Sequence, residues 1–222
     1  MVRGTQPGVV FDLDGTLIAS APAIRAVANA YLAEAGLGPP LSVEETIAFV
    51  GGGSPMFVDK MLASRGAADP ARFEARYAAF QVHYRNADPA RNVPYAGAES
   101  ALDALAAAGH GLALCTNKPG APTVKVLAAL GWEDRFARVV AGDTLPVKKP
   151  DPAPLRHAAQ AVGAPYVYVG DSEVDAQTAE RAGVPFLLHT EGYRHAEVNA
   201  IPHAAAFSDW AALPALVAGL AG

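Results

Sequence analysis

The stretch VVFDLDGTLI, residues 9–18, decides the fold. Val9, Val10 and Phe11 are strand formers, and the run ends on two carboxylates, Asp12 and Asp14, before the chain turns at Gly15-Thr16. Similar short apolar stretches recur at 111–116 (GLALCT), 138–141 (RVVA), 166–170 (YVYVG) and 185–189 (PFLLH), most of them separated by helix-like segments rich in Ala and Leu. Short apolar strands alternating with helices predict an α/β domain whose parallel sheet is buried on both faces.

Between the first of these strands and the second the alternation stops. Residues 20 to about 90 hold the helical patterns SAPAIRAVANAYLAEAGL, SVEETIAFV, SPMFVDKMLASRG and PARFEARYAAFQVHYRN, with Pro or Ser near several starts and Gly near ends. No convincing strand lies among them, and the segment is too long for an ordinary crossover. The expected organisation is therefore a core of residues 1–19 and 90–222 with an all-helical insertion at 20–89, Pro89 and Pro94 framing the return to the sheet.

Composition bounds the function. The 222 residues are 51% hydrophobic, ample for a packed core, and the net charge of −5 comes without a block of like charges. Neither nucleic acid nor a membrane surface is an expected partner. Cys115 is the only cysteine, so no intrachain disulfide can form. The N-terminal sequence reaches acidic residues too soon for a signal-peptide core, and no apolar run approaches the ~20 residues of a membrane span. The expectation is a cytoplasmic protein, monomer or homodimer.

In open parallel sheets, functional groups gather at the carboxyl ends of strands. Four polar clusters fall there: Asp12 and Asp14, then Thr116-Asn117-Lys118, then Lys148-Lys149, then Asp171 with Asp175. Several carboxylates at one place repel one another unless a cation sits among them. Oxygen ligands without a cysteine pair or a His-x-x-x-His suit a hard ion, Mg²⁺ better than Ca²⁺. One carboxylate can attack phosphorus, while a second acid two residues on protonates the leaving alcohol and later deprotonates water. Lysine and threonine would neutralise and hydrogen-bond the phosphoryl oxygens.

FDLDGTLI, CTNKP, KKPDPAP and VGDSEVDAQTAERAG resemble, in order, the four motifs of the haloacid dehalogenase superfamily, and the resemblance spans essentially the whole chain. It implies a Rossmann-like α/β parallel-sheet core flanked by helices, with the helical insertion as a C1-type cap that closes over the substrate. It further implies Asp12 as nucleophile, Asp14 as general acid and base, and Lys149 as the third-motif lysine. The phosphate would be bound by Thr116, with Asn117 beside it and Gly15 and Thr16 in the first-motif turn. The Mg²⁺ would be held by Asp12, Asp171 and the Asp14 backbone carbonyl, with Asp175 completing the shell directly or through water. The runs KKPDPAPL, YVGDSEVDAQTAERAG and GYRHAE look most like bacterial phosphoglycolate phosphatases, implying a small phosphorylated metabolite, 2-phosphoglycolate, as substrate. A β-phosphoglucomutase-like phosphomutase or another small-metabolite phosphatase would use the same core, and a silent binding protein would have lost an acid or the lysine. A true dehalogenase or a phosphonatase does not need Asp14.

Each residue also has a plainer reading. Asp12 and Asp14 alone would be turn residues, and Thr116-Asn117 alone the N-cap of a helix entering at Pro119. Lys118 reads as a surface or helix-start lysine, and Lys149 is preferred to Lys148 because it directly precedes Pro150. Asp175 would suit a helix N-terminus for the dipole alone, yet its spacing puts it on one helix face with Asp171. Cys115 reads as a buried strand residue, and among the histidines only His195 is placed to reach the crevice. Gly51, Gly52 and Gly53 are either an anion-binding loop that sets specificity or a flexible turn between helices.

Overall fold

The computed structural model describes residues 6–220. In chain order the first half holds β1 (Gly8–Phe11), β2 (Ile18–Ala19), α1 (Ala21–Ala35), α2 (Val43–Phe49), α3 (Ser54–Ser64), α4 (Phe73–Arg85), β3 (Val93–Pro94) and α5 (Ala98–Ala107). The second half holds β4 (Leu112–Cys115), α6 (Gly120–Ala129), β5 (Arg138–Val140), α7 (Ala153–Ala159), β6 (Tyr166–Gly170), α8 (Glu173–Ala182), β7 (Phe186–His189), β8 (Ala205–Phe207) and α9 (Leu213–Gly219). Among the described residues no helix is long and apolar enough to cross a membrane.

Six strands form one parallel sheet in the order β5-β4-β1-β6-β7-β8. The chirality and brevity of the crossovers place α5, α6 and α9 on one face and α7 and α8 on the other. Successive residues of β1 divide between the two cores: Val9 and Phe11 pack with Leu102, Leu105 and Leu127, whereas Val10 packs with Leu155, Ala158 and Ala176. This is why the strand is apolar at every position. It also puts β1 between β4 and β6, in register Val10↔Ala113 and Val10↔Tyr168, so the loops leaving all three strands open onto one crevice.

Three short strands carried no usable pattern in the sequence. β8 extends the sheet by one edge strand, and β2 pairs antiparallel with β3 (Ile18↔Pro94, Ala19↔Val93). That two-residue ladder binds together the outgoing and returning chain at the base of the helical insert. The insert carries its own apolar cluster, including Ile24, Val27, Phe57, Met61, Leu62 and Phe80, separate from both sheet cores. Each such buried side chain contributes about 1.5–3 kcal/mol, and Tyr31 meets Phe80 edge-on at 5.9 Å. The insert's helices are tied at their ends as well. Ser42 and Glu45 form a reciprocal capping box at the start of α2, and Glu45 also receives two hydrogen bonds, 2.8 and 3.0 Å, from Arg65 just past α3.

Candidate active site

Asp12 leaves the sheet still bonded to it, its N–H donating to the Val169 carbonyl at 2.9 Å. The chain then turns sharply: the Leu13 carbonyl accepts from the N–H groups of Thr16, Leu17 and Ile18. Gly15 has φ 86° at this turn, and a Cβ there would come within 2.4 Å of an Asp171 carboxylate oxygen. Tight packing of the first motif against the fourth thus requires glycine.

The carboxylates of Asp12, Asp171 and Asp175 are buried, with one oxygen from each lying within 4.8 Å of the others. Burial pushes the Asp12 carboxyl up from 3.8 to about 7; Lys149 opposes the rise, and Asp175 and Asp14 add to it. Asp171 is pushed well above its ordinary value, by burial first and then by Asp175 and Asp12. Burial acts to raise Asp175 too, but Lys149, Ser172 and Tyr168 prevail and hold it low. The Lys149 ammonium lies 2.8 Å from Asp12 Oδ1, donates to Asp175 Oδ1 at 2.7 Å and donates to the Tyr168 hydroxyl at 2.9 Å. Burial would lower its pKa, yet Asp12 and Asp175 hold it above its usual value.

Asp171 and Asp175 do not share a helix face as the spacing predicted. Asp171 precedes Ser172, the N-cap of α8, and Asp175 is the third helical residue, closing a capping box on Ser172. Asp175 Oδ2 accepts from Ser172 Oγ at 2.6 Å and from the Ser172 N–H at 3.2 Å. Asp171 is fixed by the Thr16 hydroxyl at 2.7 Å and by the Tyr193 N–H at 2.6 Å.

That last geometry corrects the roles expected for Gly15 and Thr16. The Gly15 N–H donates to the Ile18 carbonyl, the Thr16 N–H to Leu13 and the Thr16 hydroxyl to Asp171, so neither residue has a donor left for a phosphate, and neither lines the cavity. Asn117 does line it, but its side chain is committed to the protein. Oδ1 accepts from the Lys149 N–H at 3.0 Å, and Nδ2 donates to the Lys149 carbonyl at 3.0 Å and to the Gly51 carbonyl at 3.3 Å. Asn117 therefore pins the lysine loop and the insert's glycine loop to the core. Thr116 lines the cavity with its hydroxyl accepting from the Lys118 N–H at 3.2 Å, leaving its proton available. It is not a helix cap, since Pro119 occupies that place before α6.

Lys118 departs furthest from its expected place. It is buried, and its ammonium reaches Asp14 Oδ1 at 2.9 Å and the Tyr84 hydroxyl at 3.1 Å, tying the first motif to helix α4 of the insert. No signal in the sequence marks this, because Tyr84 is one aromatic among the insert's apolar residues. Lys149, by contrast, lies buried at the carboxylates, while Lys148 does not line the cavity. Cys115 sits inside the sheet with its thiol pushed up to about 12 by burial, as a strand residue should.

Above these groups is a cavity of about 630 Å³ between core and insert. Its floor is formed by Asp12, Asp14, Thr116 and Lys149, and its insert wall includes Gly51–Gly53, Lys60, Phe80 and Tyr84. Gly51 and Gly53 have φ 118° and 82°, which lets the loop fold against Asn117 and start α3 at the cavity. His195 also lines the wall, on a loop held by hydrogen bonds from the His195 and Ala196 N–H groups to Glu173.

The donor set fits a hard divalent cation. Three buried carboxylates converge, two are driven toward the protonated form by their surroundings, and Asp12 Oδ1 has no directed hydrogen bond although Lys149 is close by. One lysine does not neutralise three buried acids.

A parallel α/β sheet with buried acids at the carboxyl end of its central strands and a helical insert after the first strand defines a class of hydrolase cores. The sequence model of the haloacid dehalogenase-like hydrolase family matches residues 7–183, and the chain belongs to that family. It is similar to the phosphoglycolate phosphatase of Cereibacter sphaeroides (strain ATCC 17029), 49% identical over 95% of this chain and 97% of that one. The phosphoglycolate phosphatase of Rhodobacter capsulatus is 44% identical over 96% and 97%. Among solved structures, a predicted phosphoglycolate phosphatase from Haemophilus somnus superposes with a TM-score of 0.87 at 26% identity, covering 97% of this chain and 99% of that one.

Proposed function

We propose that this chain is a Mg²⁺-dependent phosphomonoester hydrolase that works through an aspartyl-phosphate, with 2-phosphoglycolate as substrate. The observation that carries the chemistry is the buried cluster of Asp12, Asp171 and Asp175, bridged by Lys149 at the floor of a cavity roofed by the insert. The substrate rests on the relatives named phosphoglycolate phosphatase, which match nearly end to end.

In the first half of the reaction an Asp12 carboxylate oxygen forms a bond to phosphorus, and the bond to the ester oxygen breaks. Asp14 gives that oxygen its proton, releasing the alcohol. In the second half Asp14 takes a proton from water, whose oxygen bonds to phosphorus as the Asp12–phosphorus bond breaks, regenerating Asp12 and releasing inorganic phosphate. Asp171 and Asp175, with Asp12 and the Asp14 backbone carbonyl, would hold Mg²⁺, which when bound neutralises charge on the transferring phosphoryl group. Lys149 offsets the charge of Asp12, and the Thr116 hydroxyl donates to a phosphoryl oxygen. Residues 20–89 act as a cap that excludes bulk water, and the Gly51–Gly53 loop is its specificity element.

Phosphate release from 2-phosphoglycolate, β-glucose 1-phosphate, phosphoserine, a nucleoside monophosphate and pyrophosphate, each with Mg²⁺ and with EDTA, tests this directly. 2-Phosphoglycolate should lead in kcat/KM, and EDTA should stop turnover. Equal rates on all five would leave a phosphatase without the proposed substrate, and undiminished turnover in EDTA would remove the metal.

A further inference from the structure

Lys118 is buried at the cavity, and the reaction scheme above gives it no role. Its backbone is held by the core: its N–H donates to the Thr116 hydroxyl at 3.2 Å, and its carbonyl accepts from the Gly142 N–H at 2.8 Å. From that fixed base the side chain extends to Asp14, with Nζ at 2.9 Å from Oδ1 and 3.3 Å from Oδ2, and to the Tyr84 hydroxyl at 3.1 Å. An ammonium donates and never accepts, and here the Asp14 carboxylate takes it on one side and the Tyr84 hydroxyl on another. The side chain of Lys118 is only 2% exposed and that of Asp14 12%, so water competes poorly for the pair.

Asp14 belongs to the core and Tyr84 to the insert. Tyr84 lies at the end of α4, buried against the insert's own cluster through Phe80, and its ring also sits beneath the ammonium at 5.4 Å. The same Nζ therefore joins the Asp14 carboxylate to the helical insert.

We propose that Lys118 is the positioning residue for Asp14 and that Tyr84 makes this positioning depend on the insert being closed over the core. With the insert in place, Lys118 is drawn between two oxygen partners and the Asp14 carboxylate is held in one orientation. With Tyr84 withdrawn, the lysine loses one of its two anchors and Asp14 its fixed rotamer. Proton transfer to the leaving oxygen and from the attacking water would then be timed to closure. The inference rests on the proposed phosphatase reaction, in which Asp14 carries both proton transfers.

Pre-steady-state kinetics of Lys118→Met and Tyr84→Phe on two esters test it. 2-Phosphoglycolate needs its leaving oxygen protonated, whereas p-nitrophenyl phosphate expels a stable phenolate without help and needs Asp14 only in the second half. For Lys118→Met we expect kcat on 2-phosphoglycolate to fall about 10²-fold with KM changed by no more than about 3-fold. On p-nitrophenyl phosphate it should keep a burst of one equivalent of p-nitrophenolate, followed by a slowed steady state. Tyr84→Phe, which removes one oxygen and keeps the ring, should show the same pattern at about 10-fold and carries the test if the lysine variant does not fold. A raised KM with kcat retained would mean that Lys118 binds substrate, and a lost burst would mean that it merely supports the fold. Tyr84→Phe equal to wild type on both esters would remove the coupling to the insert. Each of these overturns the inference while the phosphatase reading stands. A wild-type protein that releases phosphate from neither ester would overturn both.

Discussion

The floor and the roof of the cavity are built on opposite principles. The floor is a network of charges in which Lys149, Tyr168, Ser172 and Thr16 each bind a buried acid; they hold Asp175 low, while burial still drives Asp12 and Asp171 toward protonation. The roof is an apolar helical cluster that sends a few groups to the cavity: a glycine loop, Lys60 and Tyr84. Chemistry needs charges held in place, and strand ends of a rigid sheet supply that. Selection of a small ligand needs only shape and a few donors, which loops supply at little cost to the fold. Substitutions in the floor should therefore change rates and pH behaviour, and substitutions in the roof should change KM or stability, except at Tyr84, which reaches Asp14 through Lys118.

The largest effect is expected at Asp12. Asp12→Asn should lower kcat at least about 10⁴-fold while the fold is kept, and it should do more than inactivate. The folded Asp12 carboxyl sits at about 7 against an ordinary 3.8, so its ionisation opposes folding increasingly as pH rises between those values. The metal-free variant should accordingly gain in Tm relative to metal-free wild type from pH 4 to pH 7, and Mg²⁺ should stabilise wild type most at the upper end. A Tm difference that stays constant with pH would mean that the floor is not under this charge strain.

Next comes the contrast between adjacent lysines. Lys149→Ala should cost about 10²–10³-fold in kcat and about 3–5 kcal/mol in stability, because it leaves two buried carboxylates without their cation. Lys148→Ala should be close to wild type in both assays, and the reverse order would misplace the third motif by one residue. In the roof, Gly53→Ala forces a side chain onto φ 82° with its Cβ 3.3 Å from the Asn117 carbonyl. It should cost about 1–2 kcal/mol and raise KM for 2-phosphoglycolate more than it lowers kcat. The smallest effect belongs to Glu45→Gln, which loosens the bidentate pair with Arg65 inside the insert. About 1 kcal/mol or less of stability and unchanged kinetics would keep roof and floor distinct.

Much of the floor was legible because strand ends are adjacent in space whenever strands are adjacent in the sheet. Asp12, Thr116 and Asp171 each follow an apolar run, and the order β4-β1-β6 brings those runs together. What stayed hidden depends on side-chain reach and on very short elements. Lys118 looked like any lysine before a helix, and only the fold shows that its stem spans from one loop to Asp14 and Tyr84. The first-motif resemblance implies a phosphate role for Thr16, whereas the turn aims its hydroxyl at Asp171. Asp171 and Asp175 were expected on one helix face, whereas a capping box brings them together with Asp171 still outside the helix. β2 and β3, at two residues each, are too short for any periodicity.

The most direct measurement is to quench the Mg²⁺-loaded protein during turnover of 2-phosphoglycolate, reduce it with borohydride and map the modified residue by peptide mass spectrometry. An acyl phosphate reduces to the alcohol, so the account predicts homoserine at position 12 and nowhere else, absent when substrate is omitted. Homoserine at position 14, or turnover in acid-quenched samples that contain no acyl phosphate, would contradict it.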